Sequence, residues 1–226
     1  MHVELLYHTP DPERAIATAA RLCYAPVGAA ELMETMPPER IESVLTTIMS
    51  SGHFSTLEHA GYTFAVDGVS RALTHQLVRH RIASFNQQSQ RYVKFTGDVA
   101  VVKPESIAGN AEASEAFDKA IQAAVDAYHA LLEVGVPAED ARYLLPNAAE
   151  SKIVITMNVR ELLHFFSLRC CNRAQWEIRD MAHRMLELAR PTAPFIFADA
   201  GAPCVRGTCP EGKMTCGNPY PKVTRE

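Results

Sequence analysis

Apolar and polar positions repeat along the chain with two periods, about 3.6 and about 2 residues, and the changes between them predict its elements. The opening VELLYHT reads as a short strand, and DPERAIATAARLCY follows with Asp11 placed to cap a helix carrying Pro12 in its first turn. PPERIESVLTTIMSSG sets Ile41, Val44, Leu45 and Ile48 on one helical face and ends at Gly52, which suits a C-cap. AGYTFAVDG is β-branched and aromatic, a strand expected to turn at Asp67-Gly68. SRALTHQLVRHR returns to helical spacing through Leu73, Leu77 and Val78. From Asn110 to Gly135 an Ala-rich amphipathic helix presents Phe117, Ile121, Val125, Tyr128 and Leu132. PAEDARYLLP adds a short helix, KIVITMNV is the strongest strand, and RELLHFFSLRC and WEIRDMAHRMLELAR are helices broken around Cys170 to Ala174. After Pro191 the pattern turns irregular. Strands and helices without strict alternation favour an α+β class.

Composition changes this picture little. The 226 residues are 47% hydrophobic, enough for a sizeable core, and one domain is the default. A formal charge of −4 argues against a general nucleic-acid binder, so any anion site must be local. No apolar run approaches the roughly 18–20 residues that span a bilayer, and MHVELLYHTP lacks the regions of a signal peptide. The expectation is a soluble, cytoplasmic protein with no membrane partner.

The chemistry gathers where the core pattern fails. Between Asp67 and Asp98 there is no Asp or Glu, while Arg71, His75, Arg79, His80, Arg81, Arg91 and Lys94 all fall there. Cations ending a helix gain about 0.3–1 kcal/mol from its dipole, which explains Arg79, His80 and Arg81 alone. The polar run from Ser84 to Arg91 needs another reason. Strand alternation would set Gln87, Ser89 and Arg91 on one face and Ser84, Asn86, Gln88 and Gln90 on the other, so both faces are polar. Such a strand suits a polar pocket or a subunit interface. Arginine forks, hydroxyls and amides together suit an anionic ligand that carries a ring.

The stretch RHRIASFNQQSQR, residues 79–91, resembles the Arg-His-Arg, Ser, Asn, Ser, Arg pattern of the flavin-dependent thymidylate synthases. GHFSTLEH before it, and ARYLLP, MNVREL and LRCCNRAQWEIR after it, agree with that family in order and spacing. The resemblance covers residues 1–200, read as the synthase domain, and leaves 201–226 as a cysteine-containing tail. It implies an α+β fold with a mixed β-sheet flanked by helices, in a homotetramer whose active sites are shared between subunits. The implied reaction makes dTMP from dUMP with FAD, methylenetetrahydrofolate as carbon donor and NADPH as reductant, releasing tetrahydrofolate.

By matching position, Gln76, Arg79, Gln87, Ser89, Arg91, Arg142 and Arg169 are implied to hold dUMP, with Arg91 and Arg142 first for the phosphate. Arg169 is implied to lie against the uracil ring and is the first catalytic candidate. His53 is the second, implied to help place folate or reductant near the flavin. Ser55, Glu58, Arg79, His80, Arg81, Ile82, Asn86, Gln87, Asn158, Arg160, His164 and Arg173 are implied to contact FAD. His164 and Arg173 stand where other members often carry Asn and His, and Gln87 replaces an acidic residue of several relatives. Ser89 has no adjacent base in its strand, so it reads as a binding group and not a nucleophile. With no G-x-G-x-x-G motif, NADPH is expected to dock transiently at the open flavin face, in competition with folate.

Rival readings remain at this point. His53, Glu58, His59, His75 and His80 allow a metal-hydrolase cluster, although their spacing is unlike H-E-x-x-H. The basic stretch allows an RNA-binding face, although lysines and exposed aromatics are sparse there. In the tail, Cys204, Cys209 and Cys216 offer three thiols where structural zinc wants four ligands, so no metal is expected and reduced thiols in a surface loop are the favoured reading.

Overall fold

The computed structural model describes residues 1–223. Strands β1 (His2–His8), β2 (Gly61–Ser70), β3 (Ala83–Gln87) and β4 (Glu150–Asn158) form a sheet in the order β1-β2-β4-β3. The α+β class is as expected, with the strands antiparallel. The helices in chain order are α1 (Pro12–Leu22), α2 (Ala29–Thr35), α3 (Pro38–Ser51), α4 (Arg71–Leu77), α5 (Glu105–Ala108), α6 (Ala111–Glu133), α7 (Ala138–Ala141), α8 (Val159–Arg169), α9 (Trp176–Ala189) and α10 (Pro194–Phe197).

The chain divides into two compact units. The first comprises Met1–His2, Val66–Arg79 and Asn86–Ile153. One cluster of its core is Val99, Val125 and Ala149, against which Phe95, Ile121 and Leu145 pack, and Val69, Leu73, Leu77 and Tyr128 of the same unit are fully buried. Side-chain caps start two of its helices, α4 and α6: Ser70 Oγ accepts from Leu73 N at 3.0 Å, and Asn110 Oδ1 from Ala113 N at 3.1 Å. The turn expected at Asp67-Gly68 is absent, because β2 runs through to Ser70. Gly68 sits there at φ +69°, and a Cβ on it would lie 3.4–3.5 Å from the Met1 backbone. The Met1 contact would be an ordinary one, so the positive φ within a continuous strand, and not a hairpin turn, is what the glycine serves.

The second unit comprises Val3–Ala65, His80–Phe85 and the chain from Val154 on. Its core holds Ile16, Leu45, Leu57, Tyr62, Phe64, Phe165, Phe166, Met181 and Phe197, all fully buried. Phe197 meets both Tyr62 and Phe166 edge-on, with centroids at 5.6 and 6.1 Å. Asp11 caps α1 and Gly52, at φ +73°, ends α3, as their residue types require. Glu13 Oε1 accepts from the amides of Phe195 and Ile196 at 2.8 and 3.1 Å, so one carboxylate caps the start of α10 from far away in sequence.

The tail is more ordered than a loop reading implies. Cys204 and Val205 are buried, and Val223 N donates to Val205 O at 3.0 Å. Asn172 Nδ2 donates to Asn218 O at 2.8 Å, and Tyr220 lies against His183. The last three residues of the expected 201–226 tail lie outside the described residues.

Candidate functional site

In the first unit the polar stretch leaves the sheet early. β3 ends at Gln87, and Gln88 N still bonds Lys152 O, but Ser89 and Arg91 sit in a turn where Ser89 Oγ accepts from Arg91 N at 3.1 Å. The expected single face through Gln87, Ser89 and Arg91 is therefore not set by strand alternation beyond Gln87. Local hydrogen bonding of a serine with its own turn replaced the ladder.

Gln87 is held by its amide nitrogen, which donates to Thr74 Oγ1 at 3.1 Å and Ser151 Oγ at 2.8 Å. Thr74 in turn donates to Arg71 O, so its hydroxyl has a lone pair to offer. These buried hydroxyls suit an amide at position 87, because a carboxylate could not donate to them. Gln76, on α4, is half-buried, and Arg79 beyond the helix end is exposed.

Arg91 and Arg142 are drawn to one residue. Arg91 Nε pairs with the Glu139 carboxylate at 2.5 Å, and Arg142 Nε donates to the Glu139 carbonyl at 3.0 Å. Burial, with the charge of Arg142 adding, lowers the pKa of the nearby Arg71. Cations here outnumber their acid partner. Next to them Gln90 Nε2 is buried without a hydrogen-bond partner among the described residues, a state that costs about 1–3 kcal/mol unless something meets it. Gln90 was absent from the sequence-derived site, since an orphaned donor shows only in three dimensions.

The second unit carries a cavity of about 790 Å³. Its walls combine apolar Met49, Phe54 and Leu57 with polar Glu58, Asn158 and Arg160. Ile82, exposed by 66%, and His164 also line it. Of the residues implied to contact FAD, the cavity thus gathers Glu58, Ile82, Asn158, Arg160 and His164. Glu58 and Arg160 form an ion pair at 2.5 Å, half-exposed on both sides. Asn158 Oδ1 caps α8 by accepting from Glu161 N at 2.9 Å. Ser55 is exposed in the 3-10 turn Phe54–His59, and His53 is exposed just before it, at the end of α3. Arg81, Asn86 and Gln87 do not line the cavity, and neither does Arg79.

His80 and Arg173 are engaged within the protein. The His80 ring is buried, with Nδ1 3.0 Å from Glu161 Oε1 and Nε2 accepting from Arg169 Nε at 3.0 Å. Neither ring nitrogen is left to bond a cofactor. Burial lowers the His80 pKa, only partly offset by the hydrogen bond to Glu161, and Arg169 and His164 push it the same way as burial. Arg169 is itself half-buried, which lowers its pKa, yet a guanidinium stays charged. On α9, Asp180 pairs with Arg184 at 3.0 Å. Arg173 donates to Met214 O and lies 3.5 Å from Glu211, so the tail occupies it.

Among the described residues no three His, Cys, Asp or Glu side chains are grouped to hold a metal ion, whether in the tail or around His53, Glu58 and His59. No helix among them is long and apolar enough to cross a membrane.

Residues 4–195 match the family model described as thymidylate synthase complementing protein. The chain is 59% identical over 218 residues to a flavin-dependent thymidylate synthase of Geobacter sulfurreducens, covering 96% of this chain and 94% of that protein. It is 47% identical to one of Clostridium tetani, covering 95% and 92%, and 44% identical to one of Thermococcus onnurineus, covering 94% and 90%. A family match over residues 4–195, with such identities over most of the length of both chains, means that the chain belongs to the flavin-dependent thymidylate synthase family.

Proposed function

We propose that the protein converts dUMP to dTMP, with methylenetetrahydrofolate as carbon donor and FAD, reduced by NADPH, as cofactor, releasing tetrahydrofolate. The observation that carries this reading is the convergence of Arg91 and Arg142 on Glu139, with Arg71 nearby. A phosphate monoester is the ligand that a surplus of guanidinium groups suits best. Ser89 keeps its hydroxyl proton for a phosphate oxygen while its oxygen accepts from Arg91 N. Gln76, Arg79 and Gln87 complete the nucleotide set.

The cavity in the second unit fits a flavin in kind and size. Ligand pockets run to about 300–1,000 Å³, mostly apolar with a few placed polar groups, and this one has apolar walls with Asn158, Arg160 and His164 among them. Bound there, FAD would supply the hydride that the pyrimidine receives. Arg160 would offer charge to the anionic part of the cofactor once it exchanges Glu58, and Ile82 would cover the ring. Ser55, Arg81 and Asn86 are assigned to the same cofactor from matching sequence. His80 joins this set through its backbone alone, and Arg173 only after the tail releases it.

Arg169 donates Nε to His80, which leaves the terminal amino groups of its guanidinium for the uracil ring. A fixed cation there stabilises negative charge developing on the ring oxygen and nitrogen. His53, exposed at the end of α3, is placed to guide folate or reductant. We assign residues 1–200 to the synthase domain, and the assembly to a homotetramer with shared sites. Tyr92 and Tyr143, 77% and 83% exposed beside Arg91 and Arg142, give it apolar surface to bury.

The test is tritium release from dUMP labelled at carbon 5, with methylenetetrahydrofolate and NADPH, with and without added FAD. Release that needs both FAD and folate is expected. A protein that binds no flavin even when it is supplied, and releases no label, would refute the reading.

A further inference from the structure

We infer that Glu161 is a positioning residue for Arg169, acting through the imidazole of His80; the inference rests on the synthase reading above. The hydrogen-bond directions leave one arrangement. Arg169 Nε has a hydrogen and no lone pair, so at 3.0 Å from His80 Nε2 it donates, and Nε2 carries no proton. The ring proton is then on Nδ1, and it is donated to Glu161 Oε1 at 3.0 Å. A second ring proton would set N–H against N–H and cation against cation. Burial, with Arg169 and His164 adding to it and Glu161 opposing, lowers the imidazole pKa, in agreement with this geometry.

Glu161 and Arg169 stand near opposite ends of α8, about 12 Å apart along its axis at 1.5 Å per residue. The imidazole, reaching in from the turn between α4 and β3, spans that gap. The ring is walled edge-on by Phe165, and the charged or titratable groups facing it are Glu161, His164 and Arg169. Glu161 is 5% exposed, so its carboxylate is committed to this contact and is costly to leave unpaired. One oriented carboxylate therefore selects the tautomer, the tautomer presents a lone pair, and the lone pair fixes the guanidinium. Sequence conceals this role. Asn158-Val-Arg-Glu161 reads as a capping box, in which the glutamate would turn back to its own helix.

The test uses the full-length holoenzyme, with Glu161→Leu and Glu161→Gln beside wild type. FAD content is read from visible absorbance, kcat and KM for dUMP from tritium release, and the His80 tautomer from ¹⁵N NMR, with His80→Asn for assignment. Wild type is expected to show a neutral Nδ1–H imidazole at about pH 7. Glu161→Leu is expected to lower kcat about 10–100-fold through a displaced guanidinium. FAD content and KM should stay within about 3-fold, the mark of an interaction made in the transition state. Glu161→Gln, whose amide oxygen still accepts the Nδ1 proton, should recover most of the rate.

An Nε2–H tautomer or an imidazolium at that pH overturns the relay, as does an unchanged kcat in Glu161→Leu. A rate that falls only in step with lost FAD overturns it too, because Glu161 also borders the cavity. Should Glu161→Leu not fold, the tautomer and the Glu161→Gln rates decide. Wild type that shows the expected tautomer but releases no tritium sinks the activity reading, not the hydrogen-bond relay.

Discussion

Arg169 and His80 illustrate how much one proton matters. The guanidinium can only donate, so its place depends on an imidazole that stays neutral. Arg169→Ala should lower kcat about 100–1,000-fold, the range for removing one donor aimed at developing charge, while flavin absorbance is retained. Steady-state tritium release checks it, and a loss below about 10-fold would remove Arg169 from the chemistry. The same ring makes stability depend on pH. Its folded pKa lies below the ordinary 6.5, so between those two values the unfolded chain binds a proton that the folded chain refuses. Stability should then fall as pH drops below about 6.5 and level off once the folded ring is protonated as well. Urea midpoints across that range should show a slope that His80→Asn abolishes; an identical slope in the variant would place its origin elsewhere.

Elements were legible where a local signal decided them. Asp11 with Pro12, and Gly52 after Ile41, Leu45 and Ile48, mark helix ends through caps and periodicity that act within a turn or two. Asp67-Gly68 misled because a glycine at positive φ serves a hairpin turn or a twist inside a continuous strand, and only the pairing of β2 with its neighbours in the sheet distinguishes them. Gly68→Ala should destabilise by about 1 kcal/mol or more, seen as a lower urea midpoint, since alanine is strained at positive φ. Polar alternation past Gln87 misled for a related reason: Ser89 satisfied its own turn, and the ladder stopped. The reach of Glu13 to Phe195 and Ile196 left no trace in spacing. Glu13→Ala orphans two amides and should cost about 1–3 kcal/mol, seen as a lower Tm by calorimetry.

At the scale of the whole molecule, the residues proposed to hold the nucleotide belong to one compact unit, except Arg169, which belongs to the other. The proposed shared sites make this testable without further structure. Arg91→Ala and Arg169→Ala should each lose activity by about 100-fold or more alone. Mixed by co-expression, they should regain measurable activity, because a site built from two subunits can draw both arginines intact. No recovery, together with a monomer by light scattering, would return the whole site to one chain.

The sequence by itself determined the family, the α+β class, most element boundaries and the polar stretches from which the proposed site is drawn, because those follow from local periodicity and from fixed residue types at fixed spacing. Tertiary structure alone decided what those residues touch. It tied the His80 ring between Glu161 and Arg169, gave the buried Glu161 a partner that its capping pattern does not show and engaged Arg173 with the tail. It also left Gln90 without a partner among the described residues and gathered Arg91 and Arg142 on Glu139. The physical reason is that hydrogen-bond direction, burial and charge pairing depend on neighbours brought together by folding, and a linear pattern holds no record of which neighbour arrives.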